Sequence, residues 1–148
     1  MKILALDLGT YCGWAHSLGS SGVWLLKPKK DESDGIRLIR FANKLRWLKK
    51  ALGIDIIAYE AARHGGRANR GLVTHSELQG VVKQLSEELS YQYKGYSPTA
   101  IKKFATGDGR ASKEAMIRAA CKFSGKGITD DNEADAICLL EMAKLEFQ

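Results

Sequence analysis

Residues 2–10 read Lys2-Ile3-Leu4-Ala5-Leu6-Asp7-Leu8-Gly9-Thr10. The apolar run predicts a buried strand, with Asp7 interrupting it and Gly9 turning the chain. Residues 12–18 and 22–26 predict two more strands, split by Gly19-Ser20-Ser21, so that the first three form an antiparallel meander. Trp14 and Trp24 are expected to cover its core. Over residues 36–52 the period changes from two to nearly four: Leu38, Phe41, Leu45, Leu48 and Leu52 make one apolar helical face. Gly53 ends that helix, and residues 54–59 predict a buried strand closed by Glu60. A helix between the meander and this strand is the crossover expected of a parallel pair in an α/β sheet. It brings Glu60 near Asp7.

The loop 61–71 carries three arginines and three glycines. Residues 72–89 then predict a helix with Leu78, Val81, Val82, Leu85 and Leu89 apolar, widened by Leu72 and Val73. Residues 91–96 predict a last strand, and Pro98 opens a short helix bearing Ile101, Lys102, Lys103 and Phe104. The turn from Thr106 to Lys113 leads into a helix over 113–123 with Ser112 as its N-cap. A final helix begins around 129–135, where Asp130 and Glu133 stand at capping-box spacing. Asp135 lies one turn in, on the side that also carries Leu139 and Met142, and Asp131 and Asn132 share its face.

A chain of 148 residues is expected to form one domain with a proper core. No apolar run approaches a membrane span, and the apolar start is too short for a signal peptide. Cys12, Cys121 and Cys138 lack a Cys-x-x-Cys pair, so they are expected to be reduced thiols of a cytoplasmic protein rather than zinc ligands. The 23 Lys and Arg outnumber the 17 Asp and Glu, for a net charge of +6. That excess favours a polyanionic partner such as nucleic acid. The polar face of the first helix (Arg37, Arg40, Lys44, Arg46, Lys49, Lys50) is a solvated face by default, with tracking along DNA as the alternative. Likewise, the arginines of the 61–71 loop suit either a bland surface loop or a phosphate backbone.

Asp7, Glu60 and Asp135 all lie at element ends or on an inward face. A carboxylate in a central strand is costly unless cations or donors compensate it. Asp7 is therefore either the cap of its own turn, or a metal ligand or phosphate-site carboxylate. Three such acids suit two divalent ions, because hard oxygen ligands hold Mg²⁺ and paired ions serve phosphodiester hydrolysis. A nearby lysine, Lys102 or Lys113, would then stabilise charge on the phosphate.

In this order, the residues resemble the RuvC-type Holliday junction resolvases of the RNase H-like superfamily. The resemblance covers essentially the whole chain. Its most specific parts are Gly107-Asp108-Gly109-Arg110-Ala111-Ser112-Lys113 and Glu133-Ala134-Asp135-Ala136. It implies an RNase H-like nuclease domain over 1–148, with a mixed five-stranded sheet (three-strand antiparallel meander plus two parallel strands) flanked by helices. By resemblance, Asp7, Glu60 and Asp135 are metal ligands, completed by Asn132 or Asp131, and Lys102 and Lys113 contact phosphate. The family uses Mg²⁺ or Mn²⁺ and cuts four-way DNA symmetrically as a homodimer. The helix over 72–89 would supply the dimer contact. DNA would meet Arg63, His64, Arg67, Arg70, Lys103 and Arg110.

Two departures are visible. Asn132 stands where the family usually has an acidic or other ligand, and the loop after Glu60 offers Arg63 and His64 where resolvases commonly place an aromatic. Other readings are a nuclease for other branched or hybrid nucleic acid, and a junction-binding protein with weakened cleavage. The Leu6-to-Thr10 segment also resembles the phosphate loop of sugar kinases and actin-like ATPases. Those proteins clamp nucleotide between two domains, more than 148 residues are expected to supply.

Overall fold

The computed structural model describes residues 1–62, 67 and 69–148. Its first strand, β1 (Ile3–Asp7), is buried from Ile3 to Leu6. β2 (Tyr11–His16) pairs antiparallel with β1, and β3 (Ser20–Leu25) antiparallel with β2. Helix α1 (Gly35–Leu52) crosses to β4 (Ile56–Glu60), which lies parallel to β1. Helix α2 (Arg70–Leu89) then crosses to β5 (Gln92–Tyr96), parallel to β4. The chain ends in α3 (Pro98–Thr106), α4 (Lys113–Ser124) and α5 (Asp131–Glu146). The sheet order is β3-β2-β1-β4-β5, so the expected mixed five-stranded α/β sheet is the one observed.

Side-chain alternation along the strands divides the interior in two. Leu4 and Leu6 of β1 and Ile57 and Tyr59 of β4 pack with Phe41, Leu45 and Leu48 of α1 and Leu78, Val82 and Leu85 of α2. Ile3, Ala5, Ile56 and Ala58 pack on the other face, against Ala134, Ile137 and Cys138 of α5. The same alternation carries Asp7 and Glu60 to the α5 face. The last residues paired between these strands are Leu6 and Tyr59. One step further, Asp7 and Glu60 are neighbours across the strands.

Several boundaries differ from expectation by one or two residues, two of them informatively. The β2–β3 hairpin turns at Ser17-Leu18-Gly19, not at Gly19-Ser20-Ser21, and His16 pairs with Ser20. Gly19 closes this turn at φ 98°, a left-handed conformation that glycine adopts without a Cβ clash. Ser20 and Ser21 accept extended backbone, and the Ser21 hydroxyl donates to the Glu133 carboxylate at 2.8 Å. β4 starts at Ile56, two residues later than expected: the Asp55 backbone already bonds both neighbours, its amide donating to the Lys2 carbonyl at 2.8 Å and its carbonyl accepting the Gln92 amide at 2.9 Å, whereas the Ile54 carbonyl accepts Lys49 Nζ at 2.9 Å.

Trp14 and Trp24 only partly fill their expected role. They are half-buried and stacked on each other with ring centres 5.7 Å apart, and Trp24 meets Phe41 edge-on. Cys12 and Cys138 are buried, Cys121 is half-buried, and all three are free thiols. Among the described residues, no helix is long and apolar enough to cross a membrane.

Helix α5 sits unusually close to the sheet. It buries Ala134, Ala136, Ile137, Cys138, Leu139, Leu140 and Ala143, more than one stripe, because the sheet lies on one side and α3 and α4 on the others. At β2 the contact requires glycine: a Cβ on Gly13 would stand 1.9 Å from the Asn132 carbonyl oxygen. Both partners there are backbone, so neither rotates away. Gly13→Ala should destabilise the fold by about 3 kcal/mol through overpacking. Urea unfolding of the variant checks this; a midpoint within error of wild type would show that α5 lifts freely from the sheet.

Candidate active site

Four acids meet where β1 and β4 end against the start of α5. Asp7 and Glu60 come from the strand ends, and Asp131 and Asp135 from one face of α5, a helical turn apart. All four are half-buried, so solvent still reaches them. Asp130 is the helix cap, as expected, its carboxylate accepting the Asn132 and Glu133 amides at 2.8 and 3.1 Å. The capping box is not reciprocal, however, because Glu133 reaches across to Ser21 instead. That contact ties the start of α5 to β3.

The electrostatics of this cluster are unfavourable by themselves. Asp7 is held well above the usual carboxylate range, first by burial and then by Asp135, Glu60, Asp131 and Asp130. Asp135 is raised to about 7 by burial, Glu60 and Asp131, against the opposing influence of Lys102 and Lys113. The two lysines come from different helices, and Lys113 Nζ lies 3.5 Å from an Asp131 oxygen. Lys113 is largely exposed, so this ion pair contributes little. At Asp135 the two lysines offset only part of the burial and repulsion, and its carboxyl stays raised.

Such a donor set, all oxygen and negatively charged, matches a hard divalent cation. Among the described residues, no three acidic, histidine or cysteine side chains are grouped to hold an ion as they stand. Asp7 and Glu60 end adjacent strands on the face that α5 covers, and Asp135 stands in the first turns of that helix. The chemistry of the donors therefore fits Mg²⁺ or Mn²⁺.

Two polar contacts beside Glu60 were not anticipated from the sequence. His75 Nε2 lies 2.7 Å from the Glu60 carbonyl oxygen, and Gln79 Oε1 accepts the Ala62 amide at 2.8 Å. The available signal was a pair of polar residues one turn apart, beside the buried Leu78 and Val82.

The basic residues fall in separate places. Arg63 and His64 lie outside the described residues. Arg67 is exposed, Arg70 is exposed in the first turn of α2, and Lys103 is exposed on α3. Arg110 is exposed in the turn before α4, where its amide donates to the Asp108 carboxylate at 2.8 Å. The basic face of α1 lies across the sheet from the acids and is partly occupied within the chain: Arg40 pairs with Glu32 at 2.6 Å and Arg46 with Glu88 at 3.4 Å. The groove of about 1110 Å³ beside it, lined by Trp14, Trp24, Lys44 and Trp47 among others, shares no residue with the acidic cluster.

No family model matches the chain. It is 28% identical over 127 residues to the crossover junction endodeoxyribonuclease RuvC of Anaeromyxobacter sp. (strain Fw109-5), covering 84% of this chain and 60% of that protein. The corresponding protein of Brachyspira hyodysenteriae (strain ATCC 49526 / WA1) is 31% identical over 64 residues, covering 43% of this chain and 40% of the relative. The chain thus spans less than two thirds of the length of these relatives. Among solved structures, RuvC of Thermus thermophilus in complex with a Holliday junction substrate superposes with a TM-score of 0.78 at 20% identity, covering 95% of this chain and 90% of that one. T. thermophilus RuvC alone also gives 0.78, at 18% identity, covering 99% and 97%. The yeast mitochondrial Holliday junction resolvase gives 0.64 at 15% identity, covering 98% and 80%. The RNase H-like fold is the one this chain adopts, and its resemblance to the RuvC-type resolvases is borne out.

The raised acids make stability depend on pH. In the unfolded chain Asp135 titrates near its ordinary 3.8, and in the folded chain near 7. The folded protein binds more protons between these values, so metal-free stability should fall as pH rises from about 4 to about 7. Asp7→Asn replaces a carboxyl that burial and the neighbouring acids make costly to ionise. It should raise the metal-free Tm at pH 7.5 by about 3 °C, for about 1 kcal/mol, and shrink the stabilisation by Mg²⁺. Differential scanning calorimetry against pH and Mg²⁺ reads both effects; a wild-type Tm that does not fall across this window would refute mutual repulsion.

Proposed function

We propose that this chain, with the fold of the RuvC-type resolvases and sequence likeness to them, is a structure-selective endonuclease that nicks four-way DNA junctions by divalent-metal-dependent phosphodiester hydrolysis. The observation that carries this reading is the convergence of Asp7, Glu60 and Asp135 on one face of the sheet, where burial and neighbouring acids raise both Asp7 and Asp135. Support also comes from the resolvase relatives and from a structural neighbour solved with a Holliday junction substrate.

In this reading residues 1–148 form one nuclease domain. Asp7, Glu60 and Asp135 hold the metal, with Asp131 or the amide oxygen of Asn132 completing the site. Two Mg²⁺ or Mn²⁺ ions held there would supply Lewis-acid stabilisation of the phosphate and acidify the attacking water. The carboxylates orient these ligands and exclude stray cations by their number and hardness. Lys102 and Lys113 approach from the α3–α4 side and place positive charge beside the reacting phosphate. Arg67, Arg70, Lys103 and Arg110, with Arg63 and His64, contact the DNA backbone or the unstacked bases of the junction.

Paired symmetric nicks require two active sites, which a homodimer supplies. Helix α2 suits the contact: Val73 is 50% exposed, and a Cβ on Gly80 would meet no atom within 4 Å. A cytoplasmic location follows from this role and from the free thiols.

Nicking of a synthetic four-way junction, beside linear duplex and flap DNA, tests the reading. With Mg²⁺ or Mn²⁺ the wild type should make paired, symmetric nicks in the junction alone, and EDTA should abolish them. Asp7→Asn should lower cutting by more than the roughly 100-fold that losing a ligand's supporting partner costs, with junction affinity retained. Preferential cutting of flaps or hybrids would change the substrate but keep the metal site. Tight, metal-independent junction binding without cutting would favour a binding protein and implicate Asn132. In a separate binding assay, Arg67→Ala should weaken junction binding and reduce the slope of log affinity against log salt by about 1. An unchanged slope would take Arg67 off the backbone.

A further inference from the structure

At Glu60, β4 leaves the sheet, and the backbone groups beyond it need partners outside the ladder. The Ala61 amide still reaches the Tyr96 carbonyl at 2.9 Å. Two α2 side chains engage the groups on either side: His75 Nε2 faces the Glu60 carbonyl at 2.7 Å, and Gln79 Oε1 accepts the Ala62 amide at 2.8 Å. Because the Glu60 carbonyl can only accept, Nε2 of His75 must carry the proton. His75 and Gln79 are one turn apart and share a helix face. Both contacts are partly buried, which limits competition from water.

Together these bonds fix the plane of the peptide after Glu60 and the direction of the chain one residue later. Fixing that peptide also restricts ψ of Glu60, and with it the direction of its Cα–Cβ bond. The clamp comes entirely from α2, on the opposite face of the sheet from Asp131 and Asp135. It therefore holds Glu60 independently of α5. A strand end held only by its ladder would fray.

We propose that His75 and Gln79 are positioning residues that clamp the end of β4 and hold the Glu60 carboxylate toward Asp7 and Asp135 for a divalent ion. This rests on the metal-centre reading above. Neither residue touches the ion or the DNA in this role. Their contribution is to metal affinity and to turnover, not to junction affinity.

The test compares wild type with the double variant His75→Ala, Gln79→Ala. Amide NMR during a Mn²⁺ titration without DNA gives paramagnetic broadening at Asp7, Glu60 and Asp135, and hydrogen exchange reports the Ala62 amide. Junction nicking supplies kcat and KM. The double variant should need about ten times more Mn²⁺ for half-saturation, the lower end of the cost of losing a ligand's supporting partner. Its Ala62 amide should exchange faster, and kcat should fall with KM for the junction unchanged. The single variant His75→Ala should lose part of this affinity, and His75→Gln, which keeps a donor for the Glu60 carbonyl, should retain most of it. If the double variant does not fold, Gln79→Ala alone carries the same readouts.

A folded variant that titrates and turns over like wild type would overturn the proposal, as would an equal loss in His75→Gln and His75→Ala. A wild type that binds Mn²⁺ at these residues but does not cut would fail the nuclease reading and leave the clamp to be judged by the titration. A wild type showing no broadening at these residues would overturn the metal centre and the clamp together.

Discussion

Carboxylates packed at the centre of the sheet set the terms for the rest of the molecule. Asp7 stands on β1, the middle strand, and its place in the strand alternation turns it toward α5 rather than α1. Glu60 follows one step beyond the last paired residues of β1 and β4, on the same face. Asp131 and Asp135 then approach from the first turns of α5. Glu60 and Asp131 raise the cost of ionising Asp7 and Asp135, and Lys102 and Lys113 offset only part of it at Asp135. The architecture maintains this repulsion because two rigid elements meet there, strand ends and a helix start.

Close packing is what lets the helix reach the acids. Alanines at 134, 136 and 143 keep α5 thin, and Gly13 leaves room for the Asn132 carbonyl where the helix crosses β2. The start of α5 is then fastened by its own cap at Asp130 and by the Glu133–Ser21 bond. Its far end is fastened by Glu146, which accepts from Lys94 and from the Tyr96 hydroxyl, the latter at 2.7 Å. Both attachments reach the sheet, at β3 and β5, so the helix is held along its length. The acids near its first turn inherit that rigidity.

Much of this plan was legible in the sequence, wherever local chemistry decides local structure. The apolar run to Leu6, the helical stripe from Leu38 to Leu52, and the caps at Ser112 and Asp130 each depend on nearby residues. The order of strand, crossover helix and strand was enough to place Glu60 beside Asp7. The expectations that failed concern choices between nearly equivalent local solutions. Gly19-Ser20-Ser21 reads as a turn by composition, but Gly19 alone supplies the left-handed residue, and the serines extend the hairpin. Glu133 has the spacing of a capping box, but Ser21, 112 residues away in sequence, offers it another bond. His75 and Gln79 escaped notice because their partners are backbone groups of another element, which no periodicity encodes.

The central claim is that the shared face of Asp7, Glu60 and Asp135 is a divalent-cation site, and anomalous diffraction from crystals soaked in Mn²⁺ tests it most directly. The account predicts an anomalous peak bound by oxygens of Asp7, Glu60 and Asp135, absent from crystals of Asp7→Asn. Well-ordered carboxylates with no peak between them at saturating Mn²⁺, or a peak held by other residues, would contradict it.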